Sequence, residues 1–194
     1  MKTIMTAITI SFMVTGIACA ATIQLPQTGQ SVCYDAIGTV IACTGTGQDG
    51  EKLKGVVWPN PRFTDNGNGT VTDNLTELIW LKNANCFNTQ QWAAALTSAN
   101  TLANGACGLN DGSAVEQWRL PNRKELMSLV DRSKSYPALL ADHPFTSLQS
   151  YGYWTSSTGK GGTSSARLVN MGTGVDNNNV MISSYYVWPV RGGQ

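Results

Sequence analysis

The sequence predicts an α+β fold of short strands around two central helices, on three observations. Asn-Gly turns separate β-prone runs in the first half, two central segments repeat apolar residues at helical spacing, and the last third returns to β-prone pieces cut by Gly, Ser, Thr and Asn. No solenoid period and no Gly-X-Y repeat overlays that order.

The first twenty residues stand apart. "MKTIMTAITISFMVTGIACAAT" has one lysine, an uncharged run from Thr3 to Ala18, and the small-x-small triplet Ala18, Cys19, Ala20. This pattern predicts a secretory signal peptide over residues 1–20, cleaved after Ala20. The run is shorter than the ~18–20 apolar residues that span a bilayer and is diluted by Thr and Ser, so no integral membrane segment is expected in the mature chain. Gly16 occupies the position where a lipid-attachment signal favours leucine, so Cys19 is expected to leave with the leader.

Taking 20 residues from 194 leaves 174, enough for one domain with a sizeable core. Without Lys2 the 13 basic residues become 12, equal to the 12 acidic ones. Such a neutral chain argues against general nucleic-acid or membrane-surface binding, which rests on phosphate neutralisation, and leaves room for a local basic patch.

Four cysteines remain, Cys33, Cys43, Cys86 and Cys107. In an exported chain this even count predicts two disulfides. The absence of a C-x2-C pair and the single histidine, His143, argue against zinc. Of the three possible pairings, Cys33 with Cys43 and Cys86 with Cys107 is preferred, because "CYDAIGTVIAC" reads as a hairpin turning at Asp35 and Gly38. The second bridge must span a helix. Steps from Thr89 to Ala103 cover about 21 Å, and the flanking extended residues return roughly 24 Å, so closure is feasible.

Residues 21–60 read as an N-terminal strand, the stapled hairpin and loops. In "FTDNGNGTVTDNLTELIWLK", Asn66 to Gly69 form a hairpin turn, and Asp73 with Asn74 starts another turn before a strand over 78–81. "NTQQWAAALTSANTLANG" predicts a helix over 89–103, with Asn88 and Gln91 as a capping box and Asn104–Gly105 as the stop. A second helix is expected over 122–131, burying Leu126, Leu129 and Val130. In "WRLPNRKEL", Trp118 and Leu120 alternate with Arg119 as at the end of a strand. Pro121 then breaks the strand, and Asn122 with Glu125 caps the helix. The last third offers strands over 153–156, 166–171 and 185–191, with "TGVDNNNVMISSYY" read as a loop.

Four ordered motifs, "FTDNGNGTVTDNLTELIW", "WRLPNRKEL", "YWTSST" and "YYVWPVRGG", resemble the Lcl C-terminal-domain family, named for a bacterial collagen-like adhesin, over roughly Phe63 to Gly193. The Arg-Leu-Pro-cap-x-x-Glu element is also similar to that of formylglycine-generating enzymes. The resemblance implies a C-type-lectin-like fold over residues 61–194, with two helices, a small twisted antiparallel sheet, and long loops forming a ligand face.

Catalysis is not expected to come with that fold. Formylglycine-generating relatives use paired late cysteines and their iron-dependent relatives use clustered histidines, whereas here no cysteine follows Cys107 and His143 is alone. No cofactor is expected. The Glu-Pro-Asn, Gln-Pro-Asp and Trp-Asn-Asp motifs of calcium-dependent lectins are absent, and Asp65, Gly67 and Gly69 suit a turn better than an EF-hand loop. Asp65, Asp73 and Asp111 are the carboxylates available to a calcium ion.

The candidate ligand-binding residues fall into two groups. Arg123 and Lys124 belong to a basic cluster with Arg119, Arg132 and Lys134, and the link of the family's namesake adhesin to sulfated glycosaminoglycans implies an anionic ligand. A solvated helix face is the plainer alternative. Tyr151, Tyr185, Asn177, Asn178 and Asn179 form the second group, rich in the Tyr and Asn that adaptable binding surfaces use. Trp80, Trp118, Trp154 and Trp188 are expected in the core. The resulting expectation is a secreted or surface-exposed, non-catalytic, adhesive module recognising a glycan or protein through C-terminal loops. It would act in the periplasm, at the cell surface or outside the cell. The alternatives are a self-associating envelope subunit, as a homo-oligomer, and a divergent enzyme.

Overall fold

The computed structural model describes residues 25–160 and 164–192, so the expected leader lies outside the described residues. In chain order the elements are β1 (Cys33–Tyr34), β2 (Val40–Ile41), α1 (Asp49–Lys52), β3 (Phe63–Asp65), β4 (Thr70–Asp73), β5 (Ile79–Leu81), β6 (Thr89–Gln91), α2 (Trp92–Asn100), α3 (Arg123–Ser128), β7 (Gly152–Thr158), β8 (Ser165–Asn170), β9 (Val175–Val180), β10 (Ser184–Tyr186) and β11 (Val190–Arg191). The fold is α+β, as expected: small, mostly antiparallel sheets with a few short helices.

The N-terminal segment carries the expected hairpin, β1 against β2, closed by the Cys33–Cys43 disulfide. Asp35 fixes its turn by accepting from the backbone N–H groups of Ile37 and Thr39. The expected N-terminal strand reduces to one bridge, Pro26 with Val56. The four-residue α1 was not expected, because too few residues repeat there to show a period. Glu51 in α1 accepts from the N–H groups of Gly45 and Gly47, and these bonds hold its carboxyl below the ordinary range. Trp58 Nε1–H donates to the Gln27 carbonyl, and the Arg132 N–H to that of Thr28, tying the segment to the rest of the chain.

Strands β11-β5-β4-β3 form an antiparallel sheet. The Asn-Gly turn stands where expected, between β3 and β4, and its tip is docked. A Cβ on Gly69 would lie 2.3 Å from the Gly108 carbonyl oxygen, so only glycine lets the hairpin meet the Cys107–Leu109 loop. Cys107 is bonded to Cys86, completing the preferred pairing.

The second sheet, β6-β10-β7-β8-β9, is antiparallel except between β10 and β7. Its first strand corrects an expectation. Thr89–Gln91 is not helical, because it pairs with β10 in register Gln91 to Ser184. Asn88 has φ +54°, incompatible with an N-cap, and α2 starts at Trp92 without a side-chain cap. The helix ends at Asn100, short of Asn104–Gly105, because Asn104 turns away to bond Ser113. The second expected helix, α3, stops at Ser128. Beyond it the Asp131 N–H bonds the Ala138 carbonyl. Leu126, Leu129 and Val130 are buried as expected.

Apolar clusters lie on both faces of this sheet. One gathers Trp80, Trp118, Trp188, Tyr153 and the apolar residues of α3. The other gathers Trp154, Leu120, Leu168 and the Ala95–Ala99 stripe of α2. All four expected core tryptophans are fully buried, and three donate Nε1–H: Trp118 to Ser113 Oγ, Trp154 to the Gln90 carbonyl and Trp188 to the Leu81 carbonyl.

Candidate ligand-binding site

The strand-to-helix junction supports one edge of the candidate site. Arg119 pairs with Val190 through both its N–H and its carbonyl, so Trp118 and Leu120 point inward. The Pro121 carbonyl accepts from Ser156 N–H, joining the junction to β7. Asn122 Oδ1 accepts from the N–H groups of Lys124 and Glu125, and Glu125 returns a bond to the Asn122 N–H. The capping box is complete. Glu125 also grips Arg119 through two bonds of 2.7 and 2.8 Å, which raises the pKa of the guanidinium further. Arg119 in turn donates to the Gly192 carbonyl. These side chains are committed to the fold.

Arg123 and Lys124, on the first turn of α3, point away from that network. They line an open depression of about 610 Å³ together with Asn122, Ser157, Thr158, Lys160 and Arg167. Strand alternation places Arg167 on the same face of β8 as Val169, under α3. Its guanidinium donates through Nε and Nη2 to Asp176 on β9, and Arg123 Nε donates to the same carboxylate. Asp176 is almost closed to solvent while Arg123 is half open. Among the described residues, Lys124 and Lys160 have no carboxylate within ion-pair distance. Four cations thus line one depression with Ser157 and Thr158, and two of them, Arg123 and Arg167, share one acid. Sequence reasoning missed Lys160 and Arg167. Lys160 follows Gly159 without a local sequence signal, and Asp176, the anchor of Arg167, is on a strand where the sequence predicts a loop.

That strand, β9, is the main correction at the site. Of the stretch expected to loop, residues 175–180 pair with β8, from Ser165–Val180 to Asn170–Val175, and Ser184–Tyr186 form β10. Its exposure pattern shows no apolar alternation, because both faces of an edge strand stay wet there. Pairing splits the three asparagines. Asn178 opposes Arg167 and bonds Ser165 Oγ on the groove face, whereas Asn177 and Asn179 oppose Leu168 and Ala166 on the other. Tyr185 is half-buried rather than exposed. It lies against Tyr151 on one side and edge-on to Trp154, and Asn179 donates to its hydroxyl. Tyr151 is exposed, as expected.

The three carboxylates considered for calcium are held apart, each by its own cation: Asp65 by Lys82, Asp73 by Arg62 and Asp111 by Arg191. The Lys82 bond holds the Asp65 carboxyl below its ordinary range. Among the described residues, no group of three or more His, Cys, Asp or Glu is placed to share a metal ion. His143 is half-buried with its ring 5.8 Å from that of Phe145, and burial lowers its pKa.

Together these features define a disulfide-stapled α+β domain with a tryptophan core and open, polar surfaces. The sequence matches the family model of the Lcl C-terminal domain over residues 69–191, well over half of the chain, and the protein belongs to that family. No curated protein matches it by sequence. Among the described residues no helix is long and apolar enough to cross a membrane.

Proposed function

We propose that the protein is an exported, non-catalytic binding module with an adhesive role, and that it holds an anionic glycan in the groove between α3, β7 and β8. One observation carries the reading: Arg123, Lys124, Lys160 and Arg167 line one open surface, with Asp176, nearly buried, as their single counter-charge among the described residues. Among the described residues the Arg123 guanidinium bonds through Nε alone and that of Arg167 through Nε and Nη2, which leaves N–H groups of both for a ligand. A guanidinium fork suits sulfate or carboxylate, and the lysines add rotatable charges. The groove is too open to enclose a drug-sized molecule, which favours a polymer lying across it. Two disulfides and the expected leader support export.

Binding of heparin oligosaccharides by the full chain, measured calorimetrically at low and high salt, tests the proposal. Binding should weaken with salt, and Arg123→Ala combined with Lys124→Ala and Lys160→Ala should weaken it on the order of tenfold or more. Undiminished affinity in the triple variant would sink the groove assignment. A stable homo-oligomer without heparin binding would favour the assembly subunit instead.

A further inference from the structure

Beyond the basic groove, the opposite face of the β7–β8–β9 sheet carries a surface of different chemistry. Tyr151 lies against Tyr185 with ring centroids 5.8 Å apart and 20° between planes, and half of its side chain remains open to solvent. The support beneath it is fixed on three sides. Asn179 donates to the Tyr185 hydroxyl, Trp154 meets the Tyr185 ring edge-on at 4.9 Å, and a Cβ on Gly152 would come within 2.7 Å of that ring. Gly152 therefore lets Tyr185 lie down on β7, and Tyr151 is stacked on an immobile base. Asn179 Oδ1 is taken by the Val180 N–H and the Ser183 hydroxyl, so this amide is structural. Asn177, two residues back on the same face, is exposed, and among the described residues its amide has no hydrogen-bond partner.

We infer that the outer side of Tyr151, with the free amide of Asn177, is a subsite for an uncharged pyranose ring. The charge pattern argues for a neutral ligand. The surface is built of tyrosine and asparagine side chains, and Asp176, the acid of β9, is turned to the other face and paired there with two arginines. The C–H face of a sugar packs on a tyrosine plate, and a primary amide can both donate to and accept from ring hydroxyls. Size argues against a protein partner, because a stable protein interface takes roughly 800 Å² from each side and this surface is a few side chains wide. The subsite does not depend on the anionic groove, and either assignment can fail alone.

Titration of the full chain with chitotetraose and with cellotetraose, followed by NMR of the tyrosine ring protons and by calorimetry, is the test. At least one should bind, with an affinity that does not change with salt. Tyr151→Ala should weaken it about tenfold and Asn177→Ala severalfold, while Tyr151→Phe should leave it unchanged. Both alanine sites are solvent-exposed, so near-UV circular dichroism should show an intact fold. Three results would each overturn the inference: no binding of either oligosaccharide, binding that survives Tyr151→Ala, or binding that falls with salt.

Discussion

Two arginine–carboxylate clusters in this domain have the same chemistry and opposite surroundings. Arg62 and Asp73 are both fully closed to solvent, bonded at 2.8 and 3.0 Å, and Asp73 also accepts from the Leu75 N–H and the Thr76 hydroxyl. Arg62 donates further to the Ser128 carbonyl, and its guanidinium lies 4.4 Å from the Trp58 ring centre and 5.0 Å from that of Phe63. Around Asp176, by contrast, Arg123 is half open and keeps unused donors. In the first cluster Arg62 Nη1 alone is left without a partner, and it is buried, whereas the second retains spare charge at the surface. Burial and leftover hydrogen-bonding capacity, rather than residue type, separate a structural ion pair from a recognition element.

The comparison predicts unequal costs. Asp73→Ala strands a buried guanidinium and should lower stability by about 3–5 kcal/mol in chemical denaturation, whereas Arg123→Ala should cost less than about 1 kcal/mol. Similar losses for the two would break the distinction. The junction falls between them. Asn122→Ala with Glu125→Ala removes the capping box and should cost ~1–2 kcal/mol while weakening heparin binding far less than loss of Arg123, Lys124 and Lys160. A large loss of affinity in the folded double variant would instead move this pair into the site. The smallest effect concerns pH. Burial depresses the His143 pKa below 6.5, so the unfolded chain takes up that proton first. Its contribution is present above pH 6.5 and is lost as pH falls through the folded value. The denaturation midpoint should therefore decline between pH ~7.5 and ~5.5, and His143→Gln should flatten the decline.

Local chemistry with a short range was legible in the sequence. The Asn66–Gly69 turn, the Asn122–Glu125 box, both disulfides and four buried tryptophans depend on residues close in sequence or on strong apolar signals. What escaped depends on the partner strand, distant along the chain for one segment and adjacent for the other. Thr89–Gln91 has helix-compatible residues and becomes a strand because β10 pairs with it. Val175–Val180 has no apolar alternation and becomes a strand because β8 holds it. The groove was half legible for the same reason. Arg123 and Lys124 stood out as neighbours in sequence, while Lys160 and Arg167 join them only once β7 and β8 are paired.

The last strand has a kinetic consequence. Val190 pairs with Trp80 in β5 and also bridges Arg119, and Trp188 donates to a carbonyl 107 positions upstream. Until β11 arrives, one edge of β5 stays open and the pocket for Trp188 is empty. Folding speed is then governed by closing this long loop, as in chains of high contact order, rather than by forming three short helices. A polypeptide released from its N-terminal end would carry an unfinished sheet until Val190 and Arg191 had emerged, an interval during which other chains compete for that edge.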